Sequence, residues 1–117
     1  MLYGLYRALR VIRDEGASSV FRRHAEAHKQ LVAGLEGMGL KMLVAPEWRL
    51  PMLNTVYCLA GVNEADIRKR LRSEYQIEIG GGLGPLAGKI WRIGLMGHTA
   101  RPENVERFLG ALKKLLA

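Results

Sequence analysis

The stretch Ile77–Gly97, IEIGGGLGPLAGKIWRIGLMG, constrains this chain more than any other. Two strand-like segments, Ile77–Ile79 and Lys89–Met96, flank a glycine-rich loop, so the chain must build a sheet that turns back on itself. The second segment carries one arginine, Arg92, inside an otherwise apolar run. A cation on a half-buried strand is costly unless an anion meets it. Arg92 is therefore a candidate for gripping a carboxylate or phosphate. The plainer alternative is an ion pair with Glu78 on the adjacent strand. The apolar surroundings favour a carboxylate fork, in which guanidinium donates two parallel hydrogen bonds.

The remaining segments read as helices and strands around that core. Leu2, Leu5, Leu9 and Ile12 follow helical spacing, and this first helix should end near Gly16. A second helix, capped by Ser18 or Ser19, carries Phe21, His24, His28, Leu31, Leu35 and Met38 and stops at Gly39. Leu40–Ala45 reads as a strand, and Leu53–Leu59 as a central one. Asn63 caps a third helix anchored by Ile67 and Leu71, with Glu64 and Asp66 in its first turn. Pro102 opens the last helix, whose apolar face is Val105, Phe108, Leu109, Leu112 and Leu116. The order predicts one α+β domain over residues 1–117, with about four mostly antiparallel strands and helices on one face.

Alternation along the Arg92 strand then sets two faces. With Trp91, Ile93 and Leu95 toward the helices, Ile90, Arg92 and Gly94 point away. Ile90 is expected to be exposed there, on an apolar open face that looks like half of something larger.

Several function classes are disfavoured. The net charge of +7 invites nucleic acid. Its arginines and lysines, however, are scattered on outward helix faces, without an aromatic-and-glycine RNA signature or a basic tail. No apolar run approaches a membrane span. A lone cysteine, Cys58, excludes a disulfide framework and fits a reducing cytoplasm, with a buried, inert thiol expected. His24-Ala-Glu-Ala-His28 lacks the glutamate placement of a zinc-protease helix, and no third ligand is evident. The Gly80–Pro85 loop precedes a strand, unlike a phosphate-binding loop, which precedes a helix. Its glycines serve either a tight turn or the wall of a ligand site. No nucleophile–base set stands out.

The segments RLPMLNTVY, EIGGGLGPLAGKIWRIGLMG and ARPENVERFLGAL closely resemble the C-terminal end of the alanine–glyoxylate and serine–pyruvate aminotransferases. These are class V, fold-type I pyridoxal-phosphate enzymes, and the similarity runs over essentially the whole chain. The resemblance implies a C-terminal small domain whose large, cofactor-binding domain is absent from this chain. It implies that Arg92 matches the arginine binding the substrate α-carboxylate, with Gly81, Gly82, Leu83 and Gly84 as a possible wall beside it. It further implies pyridoxal phosphate in the intact enzyme, with none expected on this chain alone. The partners it implies are a small amino acid or keto acid, the large domain, and a second copy as homodimer or domain-swapped pair. Lys89 does not match the Schiff-base lysine motif. Arg101 stands where many relatives have a capping Thr or Ser. A stand-alone small-metabolite binding module is the rival reading.

Overall fold

The structure is a computed structural model that describes residues 1–117. Helix α1 spans Leu2–Glu15 and α2 spans Ala17–Gly37. A single residue separates them: Gly16, at φ 85° and ψ 131°, which an L side chain rarely adopts. Gly16, and neither Ser18 nor Ser19, is therefore the N-cap of α2, because the backbone break leaves no room for a longer linker. At its far end α2 closes with a glycine motif. Leu40 N–H donates to Leu35 O and Gly39 N–H to Glu36 O, with Gly39 at positive φ.

Three strands form the sheet: β1 (Leu53–Tyr57), β2 (Gly80–Gly81) and β3 (Ile90–Gly94), in the order β1-β3-β2, antiparallel throughout. Helix α3 covers Glu64–Tyr75 and α4 covers Pro102–Leu116. The α+β class with helices on one face is as expected, but the strand at Leu40–Ala45 shrinks to a bridge between Met42 and Val56. Two backbone bonds hold it there, and the chain then leaves the sheet into the Pro46–Trp48 turn. Arg49 Nε takes the Val44 carbonyl at 2.8 Å, which removes it from any ladder. The pairing expected of Ile77–Ile79 likewise moves on to the two glycines, Gly80 with Arg92 and Gly81 with Trp91.

Local capping agrees with the sequence. Asn63 accepts from the N–H groups of Ala65 and Asp66 at the start of α3. Pro102 opens α4 without a side-chain cap from Arg101. The apolar core joins α2 (Leu31, Leu35), α3 (Ile67, Leu71), α4 (Val105, Phe108, Leu112) and the inner sheet face (Val56, Trp91, Ile93). In α4, Ala111 and Leu115 are buried where Leu109 and Leu116 were the expected contacts; those two are only half-buried. Each large core side chain contributes roughly 1.5–3 kcal/mol before entropy is counted.

The register confirms the two sheet faces. Asn54 opposes Ile93 and Val56 opposes Trp91, all four buried, whereas Leu53, Thr55 and Tyr57 oppose Gly94, Arg92 and Ile90 on the outer face. Ile90 departs from expectation, at only 2% exposed. The loop after β2 folds over it: a Cβ at Gly82 would lie 2.9 Å from Ile90 Cγ1 and overlap the Leu86 carbonyl. The open face is still apolar, but through exposed Leu53, Tyr57 and Met96 instead.

Candidate functional site

Arg92 sits in the middle of the central strand, so its Cα is fixed by pairing on both sides, with Thr55 and with Gly80. The side chain leaves on the outer face and is half-buried. Its Nε–H donates to Gly81 O at 2.7 Å. No carboxylate lies within ion-pair distance of it. Glu78, the expected alternative partner, instead lies 3.9 Å from Arg72 Nη1, and both of those side chains are about three-quarters exposed. The reason is geometric: Glu78 precedes the two-residue β2 and is never drawn alongside Arg92.

That arrangement leaves a defined donor set. With Nε committed to the Gly81 carbonyl, the end-on fork of Nη1 and Nη2 is the free pair, the geometry that meets a carboxylate through two parallel bonds. Gly80 keeps the near side bare, since a Cβ there would stand 3.4 Å from both Nε and Nη2.

The four loop residues proposed as a wall divide in the structure. Gly81 reaches Arg92 through its carbonyl. Gly82 is spent on close packing against Leu86 and Ile90. Leu83 is exposed, and Gly84 opens the Gly84–Leu86 turn at φ 53°. An apolar crevice of about 230 Å³ is elsewhere. It lies on the inner side, between Ile77, Ile79, Ile93, Leu95, Val105 and Phe108, where the chain before β2 stands off β3.

Other candidates resolve into supporting parts. His24 Nδ1 lies 2.7 Å from Val20 O while Nε2 accepts the Gly97 N–H, so the ring staples α2 to the loop after β3. His28 Nδ1 lies 2.6 Å from Asn54 Oδ1 and satisfies the buried amide of β1. Burial pushes the Cys58 thiol up to about 11, with Glu64 adding to the shift, so it is a poor nucleophile at neutral pH.

Sequence reading missed one group. Glu64 binds Arg68 through two bonds of 2.7 and 3.1 Å, and that guanidinium lies against Gly81. The i,i+4 spacing on α3 was the available signal for the pair, but nothing in it pointed to Gly81.

No known family model matches the chain. It is nevertheless 44% identical over 116 residues to mouse alanine–glyoxylate aminotransferase, covering 98% of this chain and 28% of that protein. It is 38% identical over 116 residues to the (S)-ureidoglycine–glyoxylate transaminase of Bacillus subtilis, again 28% of that protein. Its fold matches the crystal structure of alanine–glyoxylate aminotransferase from Nostoc sp. with a TM-score of 0.95 at 44% identity, over 98% of this chain and 30% of the other. The chain thus spans less than a third of the length of the curated relatives it matches. In sequence and in fold, it is a homologue of the C-terminal portion of these glyoxylate aminotransferases, which are class V pyridoxal-phosphate aminotransferases.

Proposed function

We propose that these 117 residues act as the small C-terminal domain of a pyridoxal-phosphate-dependent transaminase, with Arg92 as the substrate-carboxylate residue. The reaction would move an amino group between a small amino acid (alanine or serine) and a keto acid (glyoxylate or pyruvate). The observation that carries the reading is a strand-fixed guanidinium with its fork unpaired, on an apolar face, in a chain homologous to such enzymes.

Pyridoxal phosphate supplies the electron sink of transamination when an enzyme holds it. The residues present here do not make its site. The glycine loop closes on its own Leu86 carbonyl and leaves no phosphate cradle, and Lys89, the lysine nearest Arg92 in the chain, is solvent-exposed. In this reading the chain itself carries out no chemical step. Its part is orientation. A bidentate grip on the carboxylate holds an amino or keto acid in one pose, and ordering of this kind lowers the entropic share of a barrier.

The open sheet face and the bare α1 are assigned to contact with a large domain outside these residues, and in the isolated chain to self-association or domain swapping. A stand-alone metabolite module is less well supported, because such a module would not leave a whole helix unpacked. The test is a hybrid enzyme in which these residues replace the matching portion of the B. subtilis transaminase. Arg92→Lys should raise KM and lower kcat together; unchanged kinetics would sink the reading.

A further inference from the structure

We infer that Arg68, held by Glu64, is a positioning residue for Arg92 and acts through the Gly81 peptide; this rests on the carboxylate-binding reading of Arg92. Strand β2 consists of Gly80 and Gly81 and is followed by Gly82. A peptide flanked by glycines has the widest conformational freedom of any in a chain. Yet its carbonyl is the protein group that Arg92 Nε holds, at 2.7 Å. Unless that carbonyl is fixed, the fork of Arg92 is not aimed.

Arg68 does the fixing. The position a Cβ would take on Gly81 is 3.2 Å from Arg68 Cζ, Nε and Nη2 alike. Equal distances to three atoms of one plane mean that the guanidinium lies flat over the bare Cα. Arg68 is itself held in place, bound by both oxygens of Glu64, whose side chain is 10% exposed. Glu64 is tied in turn to the Arg92 strand, because the indole N–H of the fully buried Trp91 donates to its main-chain carbonyl at 3.2 Å. Trp91 pairs with Gly81 and precedes Arg92. The circuit Trp91–Glu64–Arg68–Gly81–Arg92 closes on itself, and Arg68, half-buried, is its replaceable link. A lysine would not serve equally, since an ammonium cannot lie flat on a peptide.

The experiment follows the Arg92 Nε–H signal in nitrogen-15 spectra of the 117-residue chain, assigned by its loss in Arg92→Lys. In Arg68→Ala that proton should exchange about tenfold faster. Sodium pyruvate, titrated at constant ionic strength, should bind Arg92 about tenfold more weakly. The Trp91 indole N–H should stay protected, which a general loss of stability would not allow. Glu64→Gln should shift the Arg92 signal in the same direction, and serves alone if Arg68→Ala does not fold. Unchanged Arg92 exchange and pyruvate affinity, with Trp91 still protected, would overturn the inference. If the parent chain ignores pyruvate while Arg68→Ala still loosens the Arg92 proton, positioning stands and the carboxylate reading falls.

Discussion

Helices α1 and α4 carry nearly the same message in sequence and meet opposite fates. Each has an apolar stripe at helical spacing with arginines or lysines around it. Helix α4 buries Val105, Phe108, Ala111, Leu112 and Leu115, whereas α1 buries nothing and leaves Leu2 at 84% and Leu9 at 57% exposure. The difference lies in the entries to the two helices. Helix α4 follows β3 through the short Gly97–Thr99 turn, and Arg23 secures that turn by donating to the carbonyls of Gly97 and Ala100. It is thus delivered onto the inner sheet face. Helix α1 meets α2 at the Gly16 break and is tied there by the Arg23–Glu15 pair at 2.6 Å, and it contributes no buried residue to the core. An amphipathic stripe asks for a partner; it does not say that the partner is in the same chain.

The sharpest way to break this comparison is to truncate the same residue type in both helices. Leu112→Ala, in the core, should cost about 2–5 kcal/mol of unfolding free energy in urea titrations. Leu5→Ala, in α1, should change it by no more than about 0.5 kcal/mol. Equal losses would mean that α1 is packed in solution.

Next in size is association. The parent chain should sediment as a self-associated species, and Leu5→Glu with Leu9→Glu should return it to the 13.1 kDa monomer. A parent chain that stays monomeric at high concentration would remove the case that α1 seeks a partner.

Arg101→Ser should add about 1 kcal/mol by supplying the cap that α4 lacks. It also removes a buried Nε–H without a hydrogen-bond partner. A melting temperature that does not rise would show that the aliphatic part of Arg101 contributes more than the cap.

The smallest effect concerns pH at the root of α1. The Arg23 hydrogen bond holds the Glu15 carboxyl below its usual 4.5. A depressed carboxyl contributes its stabilisation above that value and loses it as pH falls through the folded value. Acid should therefore loosen the α1–α2 junction before the core, seen as faster exchange of the Gly16 amide. Glu15→Gln should abolish that pH dependence while leaving α4 unchanged.

The legible part of the site was the part encoded by short-range rules. Alternation along a strand put Arg92 on the outer face, and the register agrees. Alternation failed for Ile90, because its cover comes from a loop whose path depends on Gly82 meeting the Leu86 carbonyl. The Glu78 pairing failed for a related reason: strand pairing began three residues later than the β-prone run, at the two glycines. The Arg68–Gly81 contact was illegible, since it joins a helix surface to a residue with no side chain.

By itself, the sequence determined the helix limits near Gly16 and Asn63, the Pro102 start, the α+β class and the direction of Arg92. Each follows from backbone preferences or side-chain periodicity within a few residues. Only the tertiary structure decided that the Arg92 fork is unpaired, that Ile90 is covered, and that α1 stands bare while α4 is docked. Those outcomes depend on which groups far apart in the chain meet, and on desolvation at the meeting point.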